Sequence, residues 1–496
     1  MKYNIQKQHE RKKYHAIERI MLLLDKGSFC EIGSGMVNYG YNSGMEDIPI
    51  EYDGVITGYG KIEGQVVYVF AQDFTVKGGT LGLRHGQKIA RIIKQAIKSK
   101  CPVIGIYDSG GARIEEGINA LAGCSEMLYY NTLASGYIPQ ISVIAGPCAG
   151  AAAYSPAISD FIFSVDKIGY MFITGPDVVK NVTGEECSYQ DLGGAKVHSS
   201  VSGVSHFCFS NEKECFATVR KLINLLPACC KDKHNITPDA YNDRGFNGEE
   251  TFPTEVRTAY DIKQMIRQFA DPDSFLEVHE KYALSMVVGF AKLCGKTIGI
   301  VANQPKYNCG SIDCDSSDKA ARFVRFCDCF NIPVITFVDT PGYLPGKDQE
   351  HYGIIRHGAK LLFAYSEATT LKITVIVGKA YGGAYIAMGS KQLGADYVYA
   401  LPRAQVAVMG AEGAISILHR KQINEIDKNM QEQFIKGKAA EYSEKYMNSV
   451  IAVREGYVDE VINVSQMRKR IYDDMVSFNK KEEYFKLEKK HGNIPL

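Results

Sequence analysis

Short apolar runs alternate with amphipathic ones along most of the chain, as β/α architecture requires. Continuous apolar runs predict three buried strands in the first half and three in the second: VVYVFAQ, PVIGIYD and QISVIAG, then TIGIVAN, PVITFVD and ITVIVGK. Between the first two strands of each half, an amphipathic run predicts a helix that ends before a proline: GQKIARIIKQAIKSK and SSDKAARFVRFCDCF. Both halves therefore predict the same order of elements.

The two halves repeat at an offset of about 231 residues. Asp108 corresponds to Asp339 (339 − 108 = 231), and Gly58 corresponds to Gly289 (289 − 58 = 231). This period exceeds the ~20–50 residues of solenoid repeats, so each copy is predicted to be a domain with its own core. We assign residues 1–240 to an N-terminal domain and residues 241–496 to a C-terminal domain.

Other segments lie outside the repeated strands. A helical pattern covers Ala16 to Leu24, and a glycine-rich loop follows from Gly27 to Gly44. The polar stretch from Pro227 to Pro253 is rich in turn residues and predicts a linker. From Lys421 on, the chain is highly charged and predicts mainly helices.

Composition narrows the class of protein. Two domains of ~100–200 residues fit a 496-residue chain whose hydrophobic content is 45%. The 57 basic and 56 acidic side chains nearly cancel, which argues against nucleic acid as a partner. The N-terminus is charged and the apolar runs are shorter than the ~20 residues of a spanning helix, so we predict a cytoplasmic protein.

The fourteen cysteines show no C-x-x-C pair and no zinc-site spacing. Many unpaired cysteines in a large chain are typical of a reducing compartment. We therefore predict free thiols and no metal.

Two strand-to-helix turns carry the candidate chemistry. GPCAGAAAYSP places Gly150 and Ala151 at the start of a helix, and KAYGGAYIAM does the same with Gly383 and Ala384. Backbone N–H groups at such a start can bind an anion, and each donor to an oxyanion contributes roughly 2.7–4 kcal/mol. One such turn alone favours a packing role, but two at matching places favour a site for developing negative charge.

A second loop is predicted to lie beside the first turn. DSGGAR, from Asp108 to Arg113, is either a tight turn with a helix cap or a substrate-binding loop, and VDTPGYLPG is its counterpart in the second half. Its candidate substrate-binding residues, together with two preceding glycines, are Gly78, Gly79, Ser109, Gly110, Gly111, Ala112 and Arg113.

No acid–base pair is evident in the sequence. G-x-S-x-G, H-E-x-x-H and G-x-G-x-x-G motifs are absent. Glu115 and Glu116 are adjacent, and neighbouring helical residues diverge by ~100°. Lone histidines such as His85, His351 and His357 favour ordinary structural roles. The sequence thus provides backbone donors without a proton-transfer pair.

Several strings together resemble a known family: DFTVKGGTLG, DSGGARIEEG, GPCAGAAAYSPA, GIIRHGAKLL, KAYGGAYIAMGSK and VAVMGAEGA. They are similar to the carboxyltransferase subunit of biotin-dependent acyl-CoA carboxylases and decarboxylases, of the propionyl-CoA carboxylase β and methylmalonyl-CoA decarboxylase α type. The likeness runs from about Tyr14 to Ile462. It implies an α/β fold of two tandem crotonase-like (ClpP/crotonase) β-β-α spiral domains, assembled as a hexamer, with active sites shared between subunits.

The resemblance also implies roles for the two turns. Gly150 and Ala151 match the pair that holds the thioester carbonyl of acyl-CoA, and Gly383 and Ala384 match the pair that holds the ureido oxygen of biotin. The carboxyl group passes through CO2 and a thioester enolate, and biotin exchanges the proton. That scheme explains the missing acid–base pair.

Two departures from the family pattern affect the substrate. After KAYGGAY, and so after Tyr385, propionyl-type enzymes usually have Asp, whereas this chain has Ile386, which leaves propionyl, methylmalonyl, glutaconyl and similar acyl groups open. Lys77 replaces a usually apolar residue, and a solvated lysine is favoured over contact with a CoA phosphate. Tyr385 and Ile386 are therefore included among the substrate-binding candidates.

The implied partners leave the direction of the reaction open. The chain has neither an A-M-K-M biotinylation sequence nor a phosphate loop, so biotin is expected on a separate carrier protein. With a biotin carboxylase it would be a carboxylase, and with a membrane decarboxylase subunit it would be the α subunit of a sodium-pumping decarboxylase. A crotonase-type hydratase or isomerase and a non-catalytic scaffold are the remaining alternatives.

Overall fold

The computed structural model describes residues 4–39, 49–232, 241–242, 245–246, 248–253, 258–478 and 491–496. The chain forms two compact units. Unit 1 comprises Met1–Asp232 and His279–Tyr282, and unit 2 comprises Lys233–Val278 and Ala283–Leu496. The predicted limit at residue 240 and parts of the predicted linker and glycine-rich loop lie outside the described residues, so those predictions stay predictions.

The described residues of unit 1 form one sheet of eight strands. They are β1 Cys30–Glu31, β2 Val55–Ile62, β3 Gln65–Gln72, β4 Val103–Ser109, β5 Gln140–Ala149, β6 Phe161–Val165, β7 Tyr170–Phe172 and β8 Phe207–Phe209. The order is β1-β2-β3-β4-β5-β6-β8, and β7 pairs with β5. β2 and β3 are antiparallel, whereas β3 to β6 run parallel. All seven residues of β4 are buried, as expected of a central parallel strand.

The helices of unit 1 include the one predicted between the first two strands. They are α1 Ile5–His9, α2 Ala16–Leu23, α3 Leu83–Ser99, α4 Ile118–Ala134, α5 Tyr154–Ile158, α6 Pro176–Thr183, α7 Tyr189–Gly193, α8 Ala195–Ser200 and α9 Glu212–Ile223. α3 buries Ile89, Ile92 and Ile93 along one stripe against the core of the unit. The helix ends at Ser99 and is capped by Lys100, which is left-handed and lies two residues before Pro102.

Unit 2 repeats this topology strand for strand. Its strands are β9 Leu276–Val278, β10 Met286–Leu293, β11 Lys296–Asn303, β12 Val334–Thr340, β13 Lys372–Tyr381, β14 Tyr397–Ala400, β15 Gln405–Ala407 and β16 Glu460–Val461. The order is β16-β14-β13-β12-β11-β10-β9, with β15 paired to β13. The six strands predicted from apolar runs are confirmed as β3, β4, β5, β11, β12 and β13.

The helices of unit 2 are α10 Ile262–Phe269, α11 Cys314–Cys329, α12 Lys347–Tyr352, α13 Ile354–Glu367, α14 Gly382–Ala387, α15 Ala411–Leu418, α16 Arg420–Glu425, α17 Lys428–Tyr446, α18 Ser449–Arg454 and α19 Val464–Ser477. α11 confirms the helix predicted from SSDKAARFVRFCDCF, and the helical prediction from Lys421 on holds for the described residues. Short 3₁₀ helices occupy Tyr52–Gly54, Lys77–Gly79, Ile114–Glu116, Gly150–Ala153, Gly248–Thr251, Asn308–Gly310 and Lys391–Leu393.

The repetition extends to buried side chains. Lys88 Nζ donates to the carbonyl oxygen of Tyr52 at 2.8 Å, and Lys319 Nζ donates to that of Ala283 at 3.4 Å. Both pairs are related by the repeat (319 − 88 = 231 and 283 − 52 = 231), and Tyr52 and Ala283 both have positive φ, at 47° and 46°. A buried lysine thus binds the same strained turn in each unit.

Candidate active site

The first candidate turn follows β5 directly. Gly150 begins a 3₁₀ turn that runs through Ala153 into α5. Its φ of 60° lies in the left-handed region, where glycine is not strained. Gly150 and Ala151 are both partly exposed, and the first N–H groups of a helix have no acceptor within it. The turn therefore presents backbone donors at the end of a parallel strand.

The second candidate turn follows β13 in the same way. Gly382 begins α14 with a φ of 58°, and Gly383 is exposed. Ala384 is 0% exposed. The accessible backbone donors of this turn are therefore those that precede Ala384.

Strand pairing determines how the two turns correspond. Pro147 of β5 pairs with Tyr170 of β7, and Lys379 of β13 pairs with Gln405 of β15. Continuing this register aligns Gly150 with Gly382 (382 − 150 = 232), in agreement with their shared positive φ.

The register differs by one residue from the pairs selected by sequence. Gly150 and Ala151 correspond to Gly382 and Gly383, while buried Ala384 corresponds to buried Ala152. Sequence reasoning missed Gly382. The repeat shifts from 231 residues between β4 and β12 to 232 residues from β5 and β13 onward, and this shift is the signal that identifies Gly382.

The structure brings the glycine loops of unit 1 together beside the first turn. Gly110 N donates to the carbonyl oxygen of Gly78 at 3.0 Å, and Leu81 N donates to that of Gly111 at 2.8 Å. A Cβ atom on Gly79 would overlap the carbonyl oxygen of Asp108, and one on Gly111 would lie 2.9 Å from that of Ala149. The predicted proximity of these loops to the turn is thus observed.

The last two residues of DSGGAR differ in exposure. Ala112 is partly exposed, whereas the Arg113 side chain is 1% exposed. The Arg113 guanidinium donates to Asp53 Oδ1 at 2.5 Å, to Glu116 Oε1 at 2.7 Å and to the carbonyl oxygen of Thr80 at 2.9 Å. The buried Arg113 side chain therefore stabilises the loop through these hydrogen bonds. The substrate contact expected of Arg113 remains a prediction.

Burial changes the acidity of the groups around Arg113. It raises the pKa of Asp53 to about 6, against the opposing effect of the Arg113 guanidinium. It lowers the pKa of His85 to about 3, assisted by the positive charge of Arg113. His85 N donates to Asp53 Oδ2 at 2.8 Å, so both groups belong to one buried cluster.

Tyr385 and Ile386 continue from the second turn along α14. Ile386 is 46% exposed. The hydroxyl oxygen of Tyr385 is buried and has no hydrogen-bond partner in the described part of the chain, and burial raises the pKa of Tyr385 to about 12. Both residues are close to the turn in sequence, and their contact with substrate remains a prediction.

The remaining polar candidates have other partners. Glu116 binds Arg113 and caps α3 through the N–H of Leu83, while Glu115 is exposed. His357 Nδ1 lies 2.9 Å from Asp318 Oδ2. Among the described residues, no group of three or more His, Cys, Asp or Glu side chains could hold a metal ion.

Comparison with known proteins identifies the family. A family model described as the carboxyl transferase domain matches residues 7–494. The chain belongs to the carboxyl transferase family. The resemblance found in the sequence motifs is confirmed by this match, which spans both turns.

Relatives of two kinds are similar over nearly the whole chain. The propionyl-CoA carboxylase beta chain of Roseobacter denitrificans is 48% identical over 494 residues, covering 99% of this chain and 96% of the relative. The methylmalonyl-CoA decarboxylase subunit alpha of Veillonella parvula is 47% identical over 494 residues, covering 99% and 95%. The chain is a carboxyltransferase of this type, and its family supports biotin dependence and a CoA thioester substrate.

A solved structure confirms the predicted fold. The hexameric transcarboxylase 12S, determined with methylmalonyl-coenzyme A and methylmalonic acid bound, matches with a TM-score of 0.93 and 43% identity. The match covers 99% of this chain and 94% of that chain. The two units are therefore tandem crotonase-like domains. Within the described residues, none of the helices combines the length and apolar character needed to cross a membrane.

Proposed function

We propose that this carboxyltransferase moves a carboxyl group between biotin, carried on a separate protein, and an acyl-CoA of the propionyl-CoA and methylmalonyl-CoA class. The observation that carries the proposal is the pair of equivalent turns, in which a left-handed glycine after a parallel strand begins a short helix. Each unit thereby presents backbone donors to one ligand oxygen. Two such sites suit a reaction that moves one group between two carbonyl-bearing substrates.

The two turns divide the work. In unit 1, Gly150 and Ala151 hold the thioester oxygen as negative charge develops on it. In unit 2, Gly383 with Ala384 holds the ureido oxygen of biotin, and the register of the strands adds Gly382 to this set. Because Ala384 is buried, Gly382 and Gly383 are the donors most open to a ligand. Ser109 to Ala112, with Gly78 and Gly79, bound the acyl-CoA side.

The side chains around the turns agree with chemistry based on backbone donors. A preformed N–H directed at an oxyanion contributes roughly 2.7–4 kcal/mol to the stability of the transition state. Glu116 is committed to Arg113, and the low pKa of buried His85 keeps it neutral. Bound biotin would supply the carboxyl group and would accept the α-proton of the acyl-CoA on the nitrogen that releases CO2, so the transfer needs no separate proton-transfer side chain.

The partners follow from what the reaction needs. A biotin carboxyl carrier protein would deliver biotin, and a homohexamer would resemble the assembly of transcarboxylase 12S. We further propose that each active site combines the acyl-CoA turn of one subunit with the biotin turn of another.

A second candidate is the α subunit of a membrane-coupled acyl-CoA decarboxylase. It is supported by the similar identity of relatives of both kinds, 47% to a decarboxylase subunit and 48% to a carboxylase chain. The two candidates share the same transfer step and differ in their partner, which is a biotin carboxylase for one and a membrane decarboxylase subunit for the other.

The test is carboxyl transfer from a panel of acyl-CoAs to free biotin. Wild-type protein should transfer from methylmalonyl-CoA, and Ala151→Pro should lower kcat about 10²–10³-fold by removing one N–H. Proline is tolerated in the first turn of a helix, and Ala151→Gly, which keeps the N–H, is the matched control. Gly383→Pro, at the exposed residue that corresponds to Ala151, makes the same test in unit 2. Full activity in folded proline variants, or turnover of an unsaturated acyl-CoA without biotin, would refute the proposal.

A further inference from the structure

The loops after β4 and β12 have the same backbone pairing but differ in one side chain. In unit 1 Leu81 pairs with Ala112, and in unit 2 Ile312 pairs with Tyr343, so Ala112 and Tyr343 are equivalent (343 − 112 = 231). The neighbouring hydrogen bonds repeat as well, since the carbonyl oxygens of Leu81 and Ile312 each accept a backbone N–H at 2.8 Å. Unit 2 therefore has a phenol ring where unit 1 has a methyl group.

The ring of Tyr343 lies beside the second turn. A Cβ atom on Gly383 would lie 3.8 Å from Cε2 of Tyr343, at van der Waals distance. At its other edge the ring packs against Gly358 of α13, where a Cβ would lie 2.9 Å from the hydroxyl oxygen and 3.0 Å from Cε1. Gly358 thus leaves the space that the ring fills, while Tyr343 remains partly exposed.

The ring of Tyr343, rather than its hydroxyl group, is the feature suited to a ligand. The hydroxyl oxygen lies 3.5 Å from the carbonyl oxygen of Gly358, a long distance for a hydrogen bond. Burial raises the pKa of Tyr343 to about 12, so the side chain is neutral at physiological pH. What it adds to the turn is a flat, uncharged surface.

We infer that Tyr343 recognises the flat ring of biotin and makes the second turn select that ring over an acyl thioester. The inference rests on the proposed function. The ureido ring is planar and uncharged, and an aromatic side chain can stack on such a group. Ala112 has no ring to offer at the equivalent place in unit 1, where the proposed ligand is a flexible acyl chain. The backbone donors are alike in the two units, so this side chain supplies the discrimination.

The experiment measures KM for free biotin and for methylmalonyl-CoA separately in the transfer assay. Tyr343→Ala should raise KM for biotin about tenfold, the effect of losing one aromatic contact, and change KM for methylmalonyl-CoA less than about twofold. Tyr343→Phe keeps the ring and should stay close to wild type for both substrates. Tyr154→Ala, at an exposed tyrosine after the first turn, should leave KM for biotin unchanged.

A second variant changes the position of the Tyr343 ring without changing Tyr343 itself. Gly358→Ala should displace Tyr343 and raise KM for biotin, yet add nothing further in the Tyr343→Ala background, because the two changes act through the same ring. Unchanged KM for biotin in folded Tyr343→Ala, an equal rise in both KM values, or independent effects of the two changes would overturn the inference alone. Absence of transfer by wild-type protein would instead overturn the proposed function and this inference with it.

Discussion

Asp108 and Asp339 occupy equivalent positions at the ends of β4 and β12, yet different groups hold their carboxylates. Asp108 Oδ2 accepts from the Arg19 guanidinium at 2.8 Å, and both of its oxygens lie 2.8 Å from Lys13 Nζ. Asp339 Oδ2 instead accepts from the Tyr260 hydroxyl at 2.9 Å, and its Oδ1 accepts from Lys379 N at 3.0 Å. Burial raises the pKa of Asp339. The N-terminal segment of unit 1, through Arg19 of α2 and Lys13 in the loop before it, therefore supplies the charge that neutralises Asp108.

Arg19 should be important for the stability of unit 1. Its side chain is fully buried between Asp108 and Glu212, with Nε 2.5 Å from Glu212 Oε1. Arg19→Met should cost about 3–5 kcal/mol of unfolding free energy, because it removes a buried partner of two carboxylates. Urea denaturation followed by circular dichroism measures the change.

The exposed pair of Lys436 and Glu432 provides the control for Arg19. Lys436→Met should alter stability little, since both partners are solvated. An Arg19→Met effect no larger than this control would contradict the assigned role.

Two glycines should not tolerate a methyl group. A Cβ atom on Gly146 would overlap the carboxylate of Asp108, and one on Gly378 would overlap that of Asp339. Gly146→Ala and Gly378→Ala should each cost about 1–3 kcal/mol or more, measured by urea denaturation, because the packed carboxylates cannot move away freely.

Gly437 in α17 is the matched control for these two glycines, because a Cβ there would meet nothing within 4 Å. Gly437→Ala should stabilise by about 0.5–1 kcal/mol, since alanine loses less backbone entropy in a helix. A similar loss of stability in all three variants would contradict the role assigned to the overlap with Asp108 and Asp339.

His85 should make the stability of the protein fall in acid. Its folded pKa is about 3, below the ordinary 6.5, because it is buried and faces Arg113. The unfolded chain takes up the proton first, so the contribution of His85 is complete above pH 6.5 and is lost as pH falls toward 3. The slope is up to about 1.4 kcal/mol per pH unit. In urea titrations at several pH values, His85→Gln should lack this slope and exposed His491→Gln should retain it.

Asp53 should affect the pH dependence of folding stability in the opposite direction to His85, over part of the same pH range. Burial raises its folded pKa to about 6 from 3.8, so the folded state holds the proton more tightly. Its contribution is therefore complete below about pH 4 and is lost as pH rises through 6. Asp53→Asn should steepen the acid-induced loss of stability between pH 4 and 6 relative to wild type. The same slope in both proteins would contradict the raised pKa.

A site shared between subunits predicts complementation. Ala151→Pro impairs the proposed acyl-CoA turn and Gly383→Pro impairs the proposed biotin turn, so each variant alone should be nearly inactive. In hexamers refolded from an equal mixture, about a quarter of the shared sites should combine two intact turns and recover transfer. Lack of recovery in verified mixed hexamers would mean that one chain supplies the complete site.

Local patterns predicted the elements well because burial is visible in sequence. The stripe formed by Ile89, Ile92 and Ile93 identified α3, and continuous apolar runs identified β4 and β12. Arg113 shows where such reasoning ends. A charged residue in a glycine-rich loop predicts a ligand contact, and the sequence does not show that its guanidinium binds Asp53 and Glu116, which lie 60 and 3 residues away.

The sequence by itself determined the duplication, the elements of each unit and the two glycine turns. These features depend on local spacing and on glycine residues, which can be recognised in the sequence. Strand register agrees with the 232-residue spacing that aligns Gly150 with Gly382. Only the tertiary structure decided that Ala384 is buried and that Tyr343 lies beside Gly383. Such relationships arise from packing between segments distant in sequence, and no local pattern records them.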